Sequence, residues 1–225
     1  MRNNIVIIVE ARSNSKRLPK KHFFIAINKM MIDHLIERLK PSITQIIIAT
    51  TTNKSDDKFE IVAKKNNINC FRGSENNVLL RVIKAASCFK ANIICRVTGD
   101  SPLIDHKIVT KSINYFVKNK SNLDFLETDN NLPIGTGCSV FKVKSLIKSY
   151  NLNKSQKNLE HVTWFLKNNP KIFNLKILKF PSYKNYNKFS YTLDTKKDLK
   201  KIRKIFNFFN KNNMSTKQIV KFLNP

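Results

Sequence analysis

Hydrophobic residues in this chain occur mainly in short unbroken runs, separated by longer stretches in which they recur at helical spacing. The first run lies in residues 4–10 and reads NIVIIVE. Its five consecutive apolar residues, without polar alternation, predict a strand that is buried on both faces, as in a parallel sheet. Similar patterns predict the strands and short extended segments at residues 45–49, 69–71, 92–97, 124–126, 138–143 and 190–194.

Between these strands, apolar residues recur every three or four positions, which predicts helices with one buried face. Ser55 is a predicted N-cap, and Thr195 with Asp198 forms a predicted capping box. Strands and helices that alternate with short connections predict right-handed crossovers and a mostly parallel sheet between two helical layers, an α/β fold. The predicted helices cover residues 31–39, 55–65, 77–89, 105–118, 159–166, 196–209 and 215–223.

Length and composition change this picture little, but the charge does. A chain of 225 residues with 41% hydrophobic content predicts one soluble domain over residues 1–225. The net charge of +27 invites a nucleic-acid-binding interpretation. However, lysines are spread over nearly every predicted helix and mixed with asparagines, as in residues 64–67 and 167–171. We therefore expect no specific nucleic-acid partner, although a basic binding module stays as a distant alternative.

Cysteine spacing and the absence of long apolar runs bear on location. The four cysteines show no CxxC spacing and mostly lie in apolar patterns that suit buried thiols. No run approaches the length of a membrane span, and nothing at the amino end resembles an export signal. These features predict a cytoplasmic protein without a membrane partner. No His/Cys cluster has zinc spacing.

Candidate chemistry begins in the loop after the first strand, ARSNSKRLPKK at residues 11–21. A basic loop after a buried strand is where open α/β sheets hold polyphosphates. The loop contains no glycine, so it is neither a P-loop nor a dinucleotide fingerprint, and spacing alone leaves a solvated surface loop equally open. The basic residues of this loop are Arg12, Lys16, Arg17, Lys20 and Lys21.

Two aspartates at predicted strand ends are candidates for metal binding. Asp100 lies in VTGDSPLID and Asp194 in SYTLDTKKDL. Ligands of doubly wound sheets bind at the carboxyl ends of the strands, where a carboxylate can hold Mg²⁺ against nucleotide phosphates. From the residues alone, a tight turn at Asp100 and an Asx turn at Asp194 remain open. His161 is either a base or substrate contact, or a structural histidine.

Several motifs together resemble one family. The pattern A-R-x-x-S-x-R-L-P-x-K, followed in order by FRGSE, VTGD-x-P-L-I-D, E-H-V-T and T-L-D-T-x-x-D-L, is similar to the cytidylyltransferases that make CMP-activated sugars. It is closest to the spore coat polysaccharide biosynthesis branch. The resemblance extends from residue 5 to about residue 206 and implies a Rossmann-like, three-layer nucleotide-diphospho-sugar transferase fold of the GT-A type.

The resemblance also implies a reaction. A sugar hydroxyl would attack the α-phosphate of CTP with Mg²⁺ present, and pyrophosphate would leave, for surface polysaccharide or glycan biosynthesis. The implied acceptor is a sugar acid of the nonulosonic or a related type, and a homodimer is left open. The implied catalytic residues are Arg12, Arg17, Lys21 and Asp100, and the implied metal ligands are Asp100 and Asp194. The implied nucleotide-binding residues are Ala11, Arg12, Ser15, Arg17, Lys21, Arg72, Gly73 and Ser74.

The chain departs from the family pattern at three places. Lys20 stands where the family usually has Gly, and Asn77 replaces an Asp. Relatives often carry Asp-x-Glu where this chain has Gly137, Cys138 and Ser139, and the loss of two acids would reduce repulsion of an acidic acceptor. These departures keep open a catalytically altered nucleotide-binding relative. A nucleotidyltransferase that acts on sugar phosphates also stays open, because the positive charge of the protein attracts any anion.

Overall fold

The computed structural model describes residues 4–42, 45–183 and 185–224. Its strands are β1 (Ile5–Glu10), β2 (Ile25–Ala26), β3 (Lys29–Met30), β4 (Ile46–Thr51), β5 (Asn69–Gly73), β6 (Ile93–Thr98), β7 (Phe125–Thr128), β8 (Ser139–Lys142) and β9 (Leu175–Leu178). Its helices are α1 (Met31–Leu39), α2 (Lys58–Asn66), α3 (Val78–Cys88), α4 (His106–Lys118), α5 (Val143–Leu152), α6 (Gln156–Glu160), α7 (Trp164–Asn168), α8 (Lys196–Phe209) and α9 (Thr216–Leu223).

The main sheet of the described residues has seven strands in the order β5-β4-β1-β6-β8-β7-β9. Strand β8 runs antiparallel to both of its neighbours, whereas the other pairs are parallel. The apolar run of β1 lies between β4 and β6, and residues 6–9 are fully buried. The predicted mostly parallel sheet and the burial of β1 on both faces are therefore confirmed.

Helices cover both faces of the sheet because alternate residues of each central strand point to opposite sides. Ile7 and Val9 pack with residues of α1, α2 and α4, whereas Val6 and Ile8 pack with α3, α5 and α7. The predicted three-layer α/β architecture is confirmed.

A third apolar cluster joins the two ends of the chain. Helices α8 and α9 pack on the hairpin of β2 and β3, and Tyr191 and Leu193 are buried between them. The predicted capping box of α8 is present, because Thr195 and Asp198 each accept a hydrogen bond from the backbone N–H of the other. This cluster fixes the segment that carries Asp194.

Two predicted elements are wrong in their form. The predicted helix at 159–166 is broken, since α6 ends at Glu160 and His161 has a non-helical backbone. Asn158 is fully buried and donates to the carbonyl oxygens of Ser149 and Asn153, which ties α6 to the end of α5. This tertiary anchoring outweighs the local helical spacing. The predicted strand at 190–194 is reduced to a single bridge between Ser190 and Ile134.

Other differences lie at element starts and in polar stretches. Ser55 does not cap α2, because it lies in a 3₁₀ turn, Lys54–Asp56, whose cap residue is Asn53. The carbonyl oxygen of Ser55 instead accepts a hydrogen bond from the hydroxyl of Ser13. Strand β9 and the hairpin of β2 and β3 are too short to show an apolar period and were not predicted. Helix α5 was missed, although Val143, Leu146, Ile147 and Tyr150 recur at helical spacing.

Candidate active site

The basic loop after β1 is held in place through Ser13. Its N–H donates to Asp56 Oδ1 at 2.7 Å, and its carbonyl oxygen accepts from the N–H groups of Ser15 and Lys20, both at 2.9 Å. Burial alone would raise the pKa of Asp56. Hydrogen bonds from Thr51 and Ser13 have the larger, opposite effect, so the pKa lies below its ordinary value and the carboxylate stays ionised. The loop is therefore an anchored structure, whereas the cationic ends of Lys16 and Arg17 are exposed.

Lys20 adopts the left-handed backbone conformation, with φ 57° and ψ 21°. This is the position where the family usually has Gly, which explains that preference, since only Gly enters this region without steric cost. The turn at Lys20 leads directly into the 3₁₀ turn Lys21–Phe23, which carries the Lys21 side chain inward. The left-handed turn is therefore made here by a lysine.

Lys21 joins Asp100, which follows β6, to Asp194, which precedes α8. Its Nζ lies 2.7 Å from Asp100 Oδ2 and 2.9 Å from Asp194 Oδ1, and its side chain is 8% exposed. Arg17 Nη2 also lies 2.9 Å from Asp194 Oδ1. Burial alone would raise the pKa of Asp100. The charge and hydrogen bond of Lys21 have the larger, opposite effect and hold the pKa below its usual value. Lys21, Asp100 and Asp194, which are predicted site residues far apart in the sequence, therefore lie together.

His22 fixes the backbone that carries Asp100. Its Nδ1 lies 3.0 Å from the carbonyl oxygen of Gly99, and burial, aided by the charge of Lys21, lowers the pKa of His22 to about 4. Gly99 donates in turn to the carbonyl oxygen of Glu10 at 2.8 Å, and a Cβ at Gly99 would lie 2.8 Å from that same oxygen. Only glycine permits the backbone at residue 99 to lie this close to Glu10. The neutral imidazole of His22 holds the carbonyl group of the same residue.

Glu10 and Arg96 form a two-pronged ion pair at the ends of the central strands. Arg96 Nε and Nη2 each donate to a different oxygen of Glu10, both at 2.7 Å. Burial lowers the pKa of Arg96, but the charge of Glu10 more than offsets this and raises it. Sequence reasoning missed both residues. The signal was present, since each is a charged residue within or at the end of a buried apolar strand.

Two cavities meet at this ion pair. The nucleotide cavity, as we call it, has a volume of about 430 Å³ and is lined by the basic loop, the strand ends and α3. The acceptor cavity has a volume of about 530 Å³ and is lined by residues 127–139 with Asn187 and Thr192. Arg96 and Thr98 line both. The shared wall places the contents of the two cavities next to one another.

Most of the predicted site residues line the nucleotide cavity. These are Ala11, Arg12, Ser15, Arg17, Lys21, Asp100 and Asp194. Residues that sequence reasoning did not assign to it are Glu10, Lys16, His22, Val78, Arg81, Arg96, Thr98, Gly99 and Glu160. His161 also lines the cavity, so its interpretation as a substrate contact stays a prediction. It reaches the cavity because the helix break between α6 and α7 turns the chain there.

The FRGSE segment lies behind this cavity and does not line it. Arg72 is held by the carbonyl oxygens of Thr51 and Asn53 and by Asp57 and Glu60. Gly73 ends β5, and the Ser74 hydroxyl accepts the N–H of Asn77, which is the N-cap of α3. The nucleotide-binding roles of Arg72, Gly73 and Ser74 stay predictions. Arg81 of α3, which donates to the carbonyl oxygen of Ser74 at 2.6 Å, does line the cavity.

The acceptor cavity contains two acids, although Gly137 and Ser139 stand where relatives often carry acids. Glu127 and Asp129 line it from the end of the adjacent strand β7. A Cβ at Gly137 would lie 2.1 Å from the Thr128 hydroxyl, so no side chain fits there unless Thr128 moves. That the missing acids at Gly137 and Ser139 reduce repulsion of an acidic acceptor stays a prediction, because two other acids of the cavity remain.

The donors around Lys21 suit a divalent cation only when a ligand adds further oxygens. Within residues 4–42, 45–183 and 185–224, no three His, Cys, Asp or Glu side chains form a metal-binding group. Asp100 and Asp194, however, both contact one nitrogen of Lys21, so the two carboxylates converge on one point. Two carboxylates with phosphate and water oxygens are a typical Mg²⁺ ligand set. The residues present fit a nucleotide-bound Mg²⁺ rather than a cage made by the protein alone.

A sequence model of the family described as Cytidylyltransferase matches residues 6–222. The chain belongs to the cytidylyltransferase family. It is 34% identical to the uncharacterized protein MJ1063 of Methanocaldococcus jannaschii, over 97% of this chain and 90% of that protein. It is 29% identical to the spore coat polysaccharide biosynthesis protein SpsF of Bacillus subtilis, over 87% of this chain and 83% of that protein. The family resemblance and the enzyme class, a CTP-using nucleotidyltransferase, are confirmed.

Solved structures agree with this assignment. A cytidylyltransferase from Leptospira borgpetersenii superposes with a TM-score of 0.93 at 28% identity, covering 99% of this chain and 94% of that one. A CMP:2-keto-3-deoxy-manno-octonic acid synthetase complexed with CTP shares the fold, with a TM-score of 0.71 at 16% identity, over 92% of this chain and 100% of that one. A 3-deoxy-manno-octulosonate cytidylyltransferase of Solibacter usitatus is 32% identical over 50% of this chain and 45% of its own length.

Among the described residues, no helix has the length and apolar content needed to span a bilayer.

Proposed function

We propose that this cytidylyltransferase transfers CMP from CTP to a hydroxyl of a sugar acid and releases pyrophosphate, in the biosynthesis of a surface polysaccharide or glycan. The observation that carries the proposal is the meeting of Lys21, Asp100 and Asp194 beside the wall shared by two cavities. One cavity has the cations that a triphosphate needs, and the other is large enough for a monosaccharide.

The basic loop acts on the triphosphate. Arg12 and Arg17 neutralise its negative charge, and Lys21 stabilises the charge that develops as the pyrophosphate leaves. Since Ser13 and Asp56 fix the loop before the nucleotide binds, these cations need little reorganisation. Asp100 and Asp194 would hold Mg²⁺, which when bound supplies charge neutralisation at the α-phosphate.

The transfer itself needs alignment more than covalent chemistry. The acceptor oxygen attacks the α-phosphorus, the bond to the bridging oxygen breaks, and its electron pair leaves with pyrophosphate while the hydroxyl proton passes to water. The ion pair of Glu10 and Arg96 fixes the boundary at which the two reactants would meet. Positioning at such a wall converts a bimolecular collision into a reaction between held groups.

The acceptor class rests on relatives and on charge. Relatives named as 3-deoxy-manno-octulosonate cytidylyltransferases support a sugar acid. The only cation that lines the acceptor cavity, within the part of the chain that the structure describes, is Arg96 at the shared wall. The acceptor carboxylate and the attacking hydroxyl would therefore face that wall and the basic loop, whereas the remaining hydroxyls would face Glu127 and Asp129.

Pyrophosphate release tests the proposal. CTP and Mg²⁺ are supplied with a panel of sugar acids and, separately, with a panel of sugar 1-phosphates. Turnover is expected with one or more sugar acids. Turnover with sugar phosphates alone would contradict the acceptor class and retain nucleotidyl transfer, whereas CTP binding without turnover on either panel would favour a catalytically altered relative.

A further inference from the structure

Arg96 uses only one edge of its guanidinium group for the pair with Glu10. That pair occupies Nε and Nη2. In a planar guanidinium, Nη1 lies opposite the edge that the other two nitrogens form, so it points away from Glu10. Among the described residues, none accepts a hydrogen bond from Nη1, and the side chain is 22% exposed. Arg96 therefore keeps a cationic donor for a ligand.

The register of the sheet indicates which cavity this donor faces. Strand β6 lies between β1 and β8, and Arg96 is directly opposite Ser139 of β8. Glu10, on the β1 side, lines the nucleotide cavity and not the acceptor cavity, whereas Ser139 lines the acceptor cavity and not the nucleotide cavity. Directly opposed residues present their side chains on the same face of a sheet. Nη1 is therefore directed toward the acceptor cavity, beside Ser139.

Ser139 is a small uncharged residue between two charged ones. Glu127 of β7 is directly opposite Ser139 on its other side, so Arg96, Ser139 and Glu127 lie side by side on three neighbouring strands. The charge of Glu127 is offset by its ion pair with Lys167. Within the described chain, the Ser139 hydroxyl has no hydrogen-bond partner, and it lines the cavity. This arrangement leaves room for one anion next to Nη1.

We propose that Arg96 binds the carboxylate of the acceptor sugar through Nη1, with the Ser139 hydroxyl as a second donor. The proposal rests on the proposed function, which makes a sugar acid the acceptor. A carboxylate can accept from both groups at once. In a keto sugar acid closed into a ring, the carboxylate and the reacting hydroxyl are on one carbon, so this contact holds the hydroxyl at the boundary with the nucleotide cavity. Arg96 and Ser139 are thus specificity-determining residues for an acidic acceptor.

Ser139→Glu tests the site by placing a carboxylate in it. The new side chain would lie directly opposite Arg96, where it pairs with Nη1 and repels an acidic acceptor. The KM for the sugar acid should rise roughly tenfold to a hundredfold, as expected for the loss of a hydrogen bond to a charged group. The KM for CTP should not change. Pyrophosphate release is measured with each substrate varied in turn, on the fastest acceptor of a sugar-acid panel that includes 3-deoxy-manno-octulosonate.

Ser139→Gln is the matched control for size. Its side chain has the same length, and its amide can accept from Nη1 but does not repel a carboxylate. The rise in the KM for the sugar acid should be at least about fivefold smaller than in Ser139→Glu. Equal rises in the two variants would overturn the proposal, because they would indicate filled space rather than charge.

Arg96→Lys removes the free donor and keeps the charge. An ammonium group that pairs with Glu10 has no donor at the position of Nη1, so the KM for the sugar acid should rise about tenfold. Arg203→Lys is the control for the exchange, since Arg203 is exposed on α8 and lines neither cavity. It should leave both KM values unchanged. A rise confined to the KM for CTP in Arg96→Lys would overturn the proposal, because Nη1 would then serve the nucleotide.

If Ser139→Glu does not fold, a wild-type KM for the sugar acid in Arg96→Lys would overturn the proposal instead. Turnover on sugar acids with acceptor KM values unchanged in both variants would refute the role of Arg96 and Ser139 while the proposed function stands. Turnover on sugar 1-phosphates alone, or on no acceptor, would refute the proposed function and this role with it.

Discussion

Glu10 and Arg96 are joined by two parallel hydrogen bonds of 2.7 Å between the carboxyl ends of β1 and β6. The Glu10 side chain is 10% exposed and that of Arg96 is 22% exposed, so the pair is largely withdrawn from water. It forms part of the wall at which the nucleotide and acceptor cavities meet. Because Arg96 is fixed by a bidentate pair, its remaining donor atoms keep a constant orientation toward either ligand.

Replacing Glu10 with Gln should destabilise the protein by about 2 kcal/mol, because Arg96 would keep its charge with no compensating carboxylate. Denaturant unfolding measures the change, and turnover should fall as the shared wall loses its rigid orientation. Glu37→Gln is the control, since Glu37 pairs with Lys29 in a more exposed setting. Its cost should stay below about 1 kcal/mol. Equal costs for the two variants would contradict a structural role for the Glu10 pair.

Asp100→Asn and Asp194→Asn should each reduce turnover at least about a hundredfold, because an amide oxygen binds Mg²⁺ far less strongly than a carboxylate. Circular dichroism should show an intact fold in both, since Lys21 keeps one carboxylate partner in each variant. Pyrophosphate release with CTP and Mg²⁺ is the measurement. A wild-type rate in either variant would remove that residue from the proposed metal site.

Lys20→Gly should raise the free energy of unfolding by up to about 1 kcal/mol, because glycine adopts φ 57° without the clash that a Cβ makes. Lys20→Val should lower it by about 1–2 kcal/mol, since a β-branched residue is least tolerated there. Melting temperatures check both. Lys20 does not line the nucleotide cavity, so Lys20→Gly should retain turnover. A loss of stability in the glycine variant would show that the lysine side chain outweighs its backbone strain.

His22 should make the protein sensitive to acid. Its pKa is about 4 in the folded state and 6.5 as an ordinary value, so the unfolded chain binds the proton more readily. The stabilisation is complete above pH 6.5 and falls as the pH drops toward 4, by about 3 kcal/mol in total.

His22→Asn tests this, because its amide can replace Nδ1 as the donor to Gly99 without titrating. The free energy of unfolding is measured between pH 7 and pH 4 for both proteins. The variant should lose less stability than the wild type over this range, and parallel curves would contradict the role of His22.

Asp129→Asn should weaken acceptor binding and leave CTP binding unchanged. Asp129 is 8% exposed and accepts from the Asn131 amide and the Phe180 N–H, and its Oδ1 has no hydrogen-bond partner among the described residues. In a cavity that faces a sugar, this carboxylate is suited to accept from a hydroxyl. Steady-state kinetics with each substrate varied in turn should show a higher KM for the acceptor alone. A change confined to the KM for CTP would contradict the assignment of the two cavities.

The sequence allowed the central strands and the approach of Lys21 and Asp100 to be predicted, because these depend on local rules. Unbroken apolar runs mark parallel strands, and parallel strands share one carboxyl edge. What could not be predicted is that Lys21 lies between the two aspartates. That depends on the left-handed turn at Lys20, which no propensity favours for a lysine.

The acceptor cavity was beyond sequence reasoning for a different reason. Its walls come from residues 127–139 and from Asn187 and Thr192, which a single bridge between Ile134 and Ser190 brings together. One isolated pairing between distant residues has no periodic signal. The break at His161 was missed similarly, since the buried contacts of Asn158 decide it rather than local spacing.

The two cavities are built from different parts of the chain, and this affects how such an enzyme can diverge. The nucleotide cavity is built mainly from the first hundred residues, whereas the acceptor cavity depends mostly on residues 127–139, Asn187 and Thr192. Substitutions in those later segments can accumulate without changing the residues that line the nucleotide cavity. A gene duplicate could therefore acquire a new sugar through changes in these segments and inherit its nucleotide chemistry intact.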